Sequence, residues 1–279
     1  MAASLIVNPF AHRVTEERVR SVEAELGPVE TLLTERRGHA IELAREAAGD
    51  TVWVLGGDGL VNEVLNGLRP DVALGVVPAG HTNVLARALG VTSGPLAERR
   101  PRRISVGRVN GRRFAFSAGI GLDSEAVRAM ETVVRARDGR RAGDLDYARD
   151  IAARLLRGYD PVLEIAGAGR AGIVFVCKDA VLTYAGPIPL RFCPEARFEL
   201  GLDYLALEHV GPSRLAGLLA RLFSGRGLAG APGALAGHDL DRVEVVCDRP
   251  RPLQTDGEDL GDVTEAVFEA ERDALSVLI

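Results

Sequence analysis

Along the first ninety residues, short runs of β-branched and apolar residues alternate with longer stretches whose apolar positions recur every three or four residues. The runs 4–8 (SLIVN), 29–33 (VETLL), 51–55 (TVWVL) and 73–78 (ALGVVP) read as strands; 15–26, 38–48, 61–68 and 83–90 read as helices, the last ending at Gly90. An uninterrupted apolar run such as TVWVL belongs to a strand covered on both faces, and strands alternating with helices predict a parallel sheet wrapped by helices.

After Gly90 the pattern changes. The stretch ISVGRVNGRRFAFS is a hairpin, with Asn110-Gly111 supplying the positive φ angles of a two-residue turn. Residues 123–158 are helical in pattern, interrupted by the arginine-rich RARDGRRAGD, which reads as a surface loop. Beyond it, PVLEIAG, AGIVFVC, AVLTYAG, YLALEHV, RVEVVCD and AVFEAE read as short strands, with one helix at 213–223. GRGLAGAPGALAG reads as a loop. The second half is therefore a sandwich-like antiparallel region.

Composition narrows the function. The 279 residues are 47% hydrophobic and 26% charged with a net charge of −5, so the chain lacks the overall basic footprint of a nucleic-acid binder. Of 34 Lys and Arg residues only Lys178 is lysine, within an apolar stretch, which argues against lysine chemistry. Cys177, Cys193 and Cys247 are far apart and suggest neither a disulfide framework nor a zinc site. The opening MAASLIVNPF has no basic segment and too short an apolar run for a signal peptide, and no stretch is apolar enough to span a bilayer. The expected location is cytoplasmic, with room for peripheral association at the inner membrane face.

The strongest chemical signal is a buried strand that ends in Gly56-Gly57-Asp58-Gly59 and runs into a helix. Small residues and backbone N–H groups then sit at the carboxyl edge of a parallel sheet, where such folds bind ligands and a helix N-terminus favours anions. A carboxylate beside phosphate is repulsive unless a divalent cation intervenes, so Asp58 reads as a magnesium contact; the alternative is a cap on the helix it begins. A second turn, Pro78-Ala79-Gly80-His81-Thr82-Asn83, follows the next strand and is expected beside the first. Far downstream, Gln254-Thr255-Asp256-Gly257-Glu258 is either a surface Asx-type turn or a general base with a metal-binding carboxylate.

Taken in order, Asn8-Pro9, GGDGLVNEVLNGL (56–68), PAGHTNVLARALG (78–90), SAGIGLDSEAV (117–127) and TDGE (255–258) resemble the diacylglycerol kinase catalytic-domain family, which includes sphingosine kinases and bacterial lipid kinases. The resemblance implies an N-terminal α/β domain with a parallel sheet like those of NAD kinase and phosphofructokinase, a C-terminal antiparallel β-sandwich, and a nucleotide site in the cleft between them. The domains would be 1–117, to which the last ten or so residues return, and 118–279 as the lipid-substrate domain.

The implied activity is transfer of the γ-phosphate of Mg-ATP to the hydroxyl of diacylglycerol or a related lipid. Gly56, Gly57, Asp58 and Gly59 would hold the Mg²⁺-bound ATP phosphates, Asn62 and Glu63 would support that loop, Gly80, Thr82 and Asn83 would line the nucleotide, and Asn8 would sit at the phosphate end. Asp256 would take the proton from the lipid hydroxyl and Glu258 would help Asp58 bind magnesium. The expected partners are ATP and a lipid at the membrane surface, with a homodimer also compatible and nucleic acid excluded. Leu60 and Val84 depart from the commoner family pattern, and Glu199-Leu200-Gly201-Leu202-Asp203 shortens a metal-binding motif of some members. The alternatives are a catalytically silent nucleotide- or lipid-binding regulator and a kinase of a soluble acceptor such as NAD. The clusters Arg99, Arg100, Arg102, Arg103 with Arg112 and Arg113, and Arg135 to Arg141, are read either as anionic-headgroup contacts or as solvated charge.

Overall fold

The structure, a computed structural model, describes residues 3–11, 13–122, 124–129, 153, 160–209 and 211–279. Its chain divides into two compact units. Unit 1 comprises Met1–Val106, Arg112–Ala115 and Glu271–Ile279; unit 2 comprises Gly107–Gly111 and Phe116–Ala270.

Unit 1 begins with β1 (Ala3–Val7), α1 (Glu16–Leu26), β2 (Val29–Leu33), α2 (His39–Glu46), β3 (Thr51–Gly56), α3 (Asp58–Gly67), β4 (Ala73–Pro78) and α4 (Val84–Ala88). The strands pair in parallel in the order β2–β1–β3–β4, with Val7 opposite both Leu33 and Leu55 and Gly56 opposite Pro78. The last residues of the chain, Ser276–Leu278, add a further parallel strand beside β4. The apolar runs sit where a sheet covered on both faces needs them: Leu5, Val7, Trp53, Leu55 and Val77 are buried together with Val22 and Leu96.

The connection leaves β1 in one direction for β2, while β3 and β4 lie on β1's other side. That reversal creates a crevice at the carboxyl ends of β1 and β3, the usual ligand position in open α/β sheets. Helix α1 starts as the sequence suggests, with Thr15 Oγ1 accepting from the Arg18 amide at 3.2 Å. Helix α3 starts earlier than the apolar periodicity suggested. Gly57 is its N-cap and Asp58 its first residue, so the second half of the glycine turn is helical.

A hairpin of β5 (Pro101–Val109) and β6 (Arg112–Phe114) follows, turning at Asn110 and Gly111 with φ of 47° and 86°, as the Asn-Gly pair requires. Unit 2 continues with β7 (Ser117–Ile120), β8 (Leu163–Ile165), β9 (Gly169–Ala171), β10 (Ile173–Cys177), β11 (Val181–Ala185), β12 (Ile188–Arg191), β13 (Leu202–Leu207), α5 (Pro212–Phe223), β14 (Ala234–Leu240), β15 (Arg242–Thr255) and β16 (Glu258–Leu278). Its strands run antiparallel in the order β14–β13–β10–β7–β15–β16, while β8 joins β15 and β11–β12 form a separate hairpin.

The stretch 225–237 is not all loop: its end belongs to β14, and Gly237 lies opposite Tyr204, whose ring occupies the space a Cβ would need. The arginine-rich segment 135–144 lies outside the described residues, although 124–129 are helical.

Candidate active site

At the carboxyl edge of the unit 1 sheet, the two glycine turns meet backbone to backbone. The Ala79 amide donates to the Gly56 carbonyl at 2.7 Å, continuing the β3–β4 ladder past the strand ends. A Cβ built on Gly57 would lie 3.0 Å from the Gly80 Cα, and one on Gly80 only 2.5 Å from the Gly57 Cα. A Cβ does not fit at Gly80 and is at the limit of fitting at Gly57, which is the physical reason for glycine in this approach.

Asp58 fastens the two turns together. Its Oδ2 accepts from the Val84 amide at 3.0 Å and its Oδ1 from the Leu85 amide at 3.2 Å. The carboxylate therefore caps α4, the helix after the second turn, rather than the helix it begins. Asn83 closes the second turn on itself: its Oδ1 accepts from the Gly80 amide at 2.8 Å, its Nδ2 donates to the Gly80 carbonyl at 3.0 Å, and its φ is 51°. A short polar side chain that bonds locally is what lets a non-glycine residue hold that conformation. Gly57, Asp58, Gly59 and Thr82 are half-buried, and His81 is exposed. Asn8, half-buried beyond β1, accepts from the Phe10 amide through its Oδ1 at 3.0 Å.

Asn62 and Glu63 bind neighbouring elements of unit 1. Glu63, 7% exposed, accepts from the Gly38 amide at 2.8 Å and the Ala40 amide at 3.2 Å, capping α2. Asn62, fully buried, donates to the Arg113 carbonyl at 3.2 Å and accepts from Arg112 Nη2 at 2.7 Å, anchoring β6. Both side chains fix α3 against its neighbours, so they hold the glycine turn indirectly, through the helix.

In unit 2, Thr255-Asp256-Gly257-Glu258 is the two-residue turn joining β15 to β16, with φ of 48° at Asp256 and 82° at Gly257. It is no solvated surface turn. Asp256 is 5% exposed, and its Oδ1 accepts from the amides of Phe116 and Ser117, each at 3.0 Å. Its own amide donates to the Ser117 carbonyl at 2.8 Å, and Gln254, 1% exposed, accepts from the Gly257 amide at 2.9 Å. Glu258 is half-buried. The carboxylate is thus held in one orientation by backbone donors that require an acceptor.

Sequence reasoning missed a second polar cluster in unit 2. Lys178, fully buried, donates from Nζ to the carbonyls of Leu200 and Gly201, both at 2.6 Å, and so serves as an internal cation for that turn. Asp203, 3% exposed, receives His238 Nδ1 at 2.9 Å and the Asp239 amide at 3.1 Å. The hydrogen bond to Asp203 raises the His238 pKa above the usual imidazole value. The lone lysine and the segment 199–203 were both visible in the sequence, but nothing in it joined Lys178 to Leu200 and Gly201 or Asp203 to His238.

Residues 2–110 match the family model of the diacylglycerol kinase catalytic domain. The chain is 41% identical over 101 residues to the diacylglycerol kinase of Bacillus subtilis, covering 32% of this chain and 33% of that protein. It is 46% identical over 74 residues to human sphingosine kinase 1, covering 23% and 19%. Both matches span well under two thirds of the relative's own length. The crystal structure of a diacylglycerol kinase from Bacillus anthracis shares the fold at a TM-score of 0.70 and 21% identity, covering 99% of this chain and 96% of that one. Both glycine turns lie inside the matched segment, so residues 2–110 carry the similarity to the diacylglycerol kinase catalytic domain.

Proposed function

We propose that this chain transfers the γ-phosphate of ATP to the hydroxyl of a lipid, with diacylglycerol as the first acceptor to test. The observation that carries the reading is the contact of the Gly57 and Gly80 turns at the carboxyl edge of a parallel sheet, joined by Asp58. Backbone approaches a charged ligand closely there, and the first-turn amides of α3 point outward from the helix end. The lipid acceptor is inferred from the kinases that the matched segment resembles, one named for diacylglycerol and one for sphingosine.

The donor set fits magnesium that arrives with the nucleotide. Among the described residues no group of three or more His, Cys, Asp or Glu could hold a metal ion, whereas magnesium on nucleotide phosphates needs only one or two protein carboxylates. Asp58 is suitable, because a carboxylate oxygen can serve an amide and a cation at once. When bound, magnesium neutralises charge on the transferring phosphoryl group.

The chain's own residues then have separate tasks. Gly56, Gly57 and Gly59 bring amides to the phosphates, Gly80, Thr82 and Asn83 flank the nucleotide, and Asn8 borders the phosphate end. Asp256 accepts the proton of the lipid hydroxyl at its carboxylate, and Glu258 assists the metal. Most of the acceleration comes from positioning and electrostatic stabilisation, with the base contributing the smaller part.

The test is incubation of the purified chain with labelled ATP, magnesium and a panel of diacylglycerol, sphingosine, ceramide and phosphatidylglycerol. Labelled lipid that depends on Asp58 supports the reading, and Asp58→Asn should raise the KM for ATP as well as lower kcat. A chain that binds ATP yet labels nothing in the panel is a regulator instead.

A further inference from the structure

The arginines around β5 and β6 are largely occupied within unit 1. Arg99 donates to the carbonyls of Val76 at 2.7 Å and Val91 at 3.3 Å and lies 5.8 Å over the Trp53 ring. Arg112 is bound to Asn62 at 2.7 Å, Arg113 to Glu271 at 2.8 Å and Arg103 to Asp273 at 3.4 Å. Cations spent in this way are poorly placed to recruit an anionic partner.

Unit 2 offers a different surface. The hairpin β11–β12 exposes Gly186, Pro187 and Ile188 at its tip, with Ile188 47% exposed. Beside it, α5 turns Leu222 and part of Leu218 inward against Leu190 and Phe192, while Ala216, Gly217, Leu219 and Ala220 face out, Leu219 at 41% exposure. An outward helix face made of glycine, alanine and leucine has no evident reason to meet water.

The charge pattern specifies the partner. Residues 180–194 and 209–238 contain no Asp or Glu, in a chain of net charge −5 with 39 acidic residues. The same segments expose Arg191, Arg214 and Arg226. Exposed apolar residues in segments that carry arginine and no acidic residue suit the interface of an anionic bilayer, where apolar side chains enter the acyl boundary and guanidinium groups meet phosphate. A soluble acidic protein would satisfy the arginines but not the apolar tip.

We infer that the β11–β12 tip and the outward face of α5 form a docking surface for an anionic phospholipid membrane. The surface stands on geometry and charge, and binding there requires no ATP. It deepens the lipid-kinase reading only in naming an anionic membrane as the chain's partner.

The experiment is co-sedimentation of the full chain with vesicles of phosphatidylcholine alone or with added phosphatidylglycerol, without nucleotide. The wild-type chain should bind the anionic vesicles and release them in high salt. Ile188→Asp/Leu219→Asp should cut the partition coefficient at least tenfold. Each of Arg191→Gln, Arg214→Gln and Arg226→Gln should weaken binding roughly fivefold, while Arg100→Gln/Arg103→Gln in unit 1 should leave it unchanged. Melting temperatures measured alongside separate lost binding from lost folding, because surface substitutions should not move them. Undiminished binding by the folded Ile188/Leu219 and arginine variants, loss confined to the unit 1 variant, or no wild-type binding would overturn the inference. Lipid phosphorylation in detergent without vesicle binding would sink the docking surface alone; vesicle binding without phosphorylation would sink only the kinase reading.

Discussion

Replacing Gly80 with alanine puts a Cβ 2.5 Å from the Gly57 Cα and 2.9 Å from Asn83 Oδ1. Carbon atoms in good contact sit about 3.5–4.0 Å apart, so the two turns must separate by about 1 Å or more. The obstructing carbon is backbone and cannot rotate away. Overpacking of this kind costs ~1–3 kcal/mol. It also carries the Asp58 and Asn83 hydrogen bonds with it, and under the proposed kinase reading a displacement of that size should lower turnover about 10²-fold. Gly57→Ala meets the same partner at 3.0 Å and should be milder. Gly217→Ala, in α5 with nothing within 4 Å, should be neutral or stabilising by ~0.5–1 kcal/mol. Thermal denaturation and calorimetric ATP titration of the three variants give the order directly. Wild-type melting and nucleotide affinity in Gly80→Ala, or a Gly57→Ala effect larger than that of Gly80→Ala, would refute the close-approach argument.

Asp256→Asn keeps an oxygen for the Phe116 and Ser117 amides but removes the base, so kcat should fall about 10²-fold or more with little change in melting temperature or in the KM for ATP; unchanged kcat removes Asp256 from the mechanism. Glu63→Gln sets an NH₂ group against either the Gly38 or the Ala40 amide in a buried site, and denaturant unfolding should report a loss of ~1–3 kcal/mol. The His238 pKa is raised in the folded chain, so the Asp203 contact contributes most below the unfolded imidazole value and is lost as pH rises through the higher folded value. The melting difference between wild type and His238→Gln should therefore be larger at pH 5.5 than at pH 8.5; a difference independent of pH contradicts the assignment.

The parallel sheet was readable because β1, β3 and β4 are nearly unbroken apolar runs that end at or near a glycine or proline, whereas edge strand β2 carries Glu30 and Thr31 and has no fully buried residue. Strand β14 was not, since GALAGHDL has neither alternation nor β-branched residues; its place is decided by Tyr204 covering Gly237 from the neighbouring strand, a contact between residues 33 apart. The full lengths of β15 and β16 were obscured by Arg249-Pro250-Arg251-Pro252, which the sheet absorbs by shifting register between Val246 and Arg251 and again between Pro252 and Gln254. Motif order identified the glycine turns and the Asp256 turn. It could not say what each carboxylate touches, because the partners are main-chain amides that any residue supplies.

Those amides reveal a shared device. Asp58 binds the backbone at 84 and 85, Glu63 at 38 and 40, and Asp256 at 116 and 117, each reaching a segment distant in sequence. A carboxylate seated this way is fixed before any ligand arrives, which is the condition under which a charged group assists phosphoryl transfer without reorganising. The seat alone does not make a residue a ligand contact: both oxygens of Glu63 serve the start of helix α2, and the residue is 7% exposed. Asp58 differs in being half-buried in the glycine turn, so its orientation by α4 and its access to phosphate are compatible. Preorganisation by backbone amides thus explains why all three acids are needed where they stand, and solvent access decides which of those near the glycine turns can also meet a ligand.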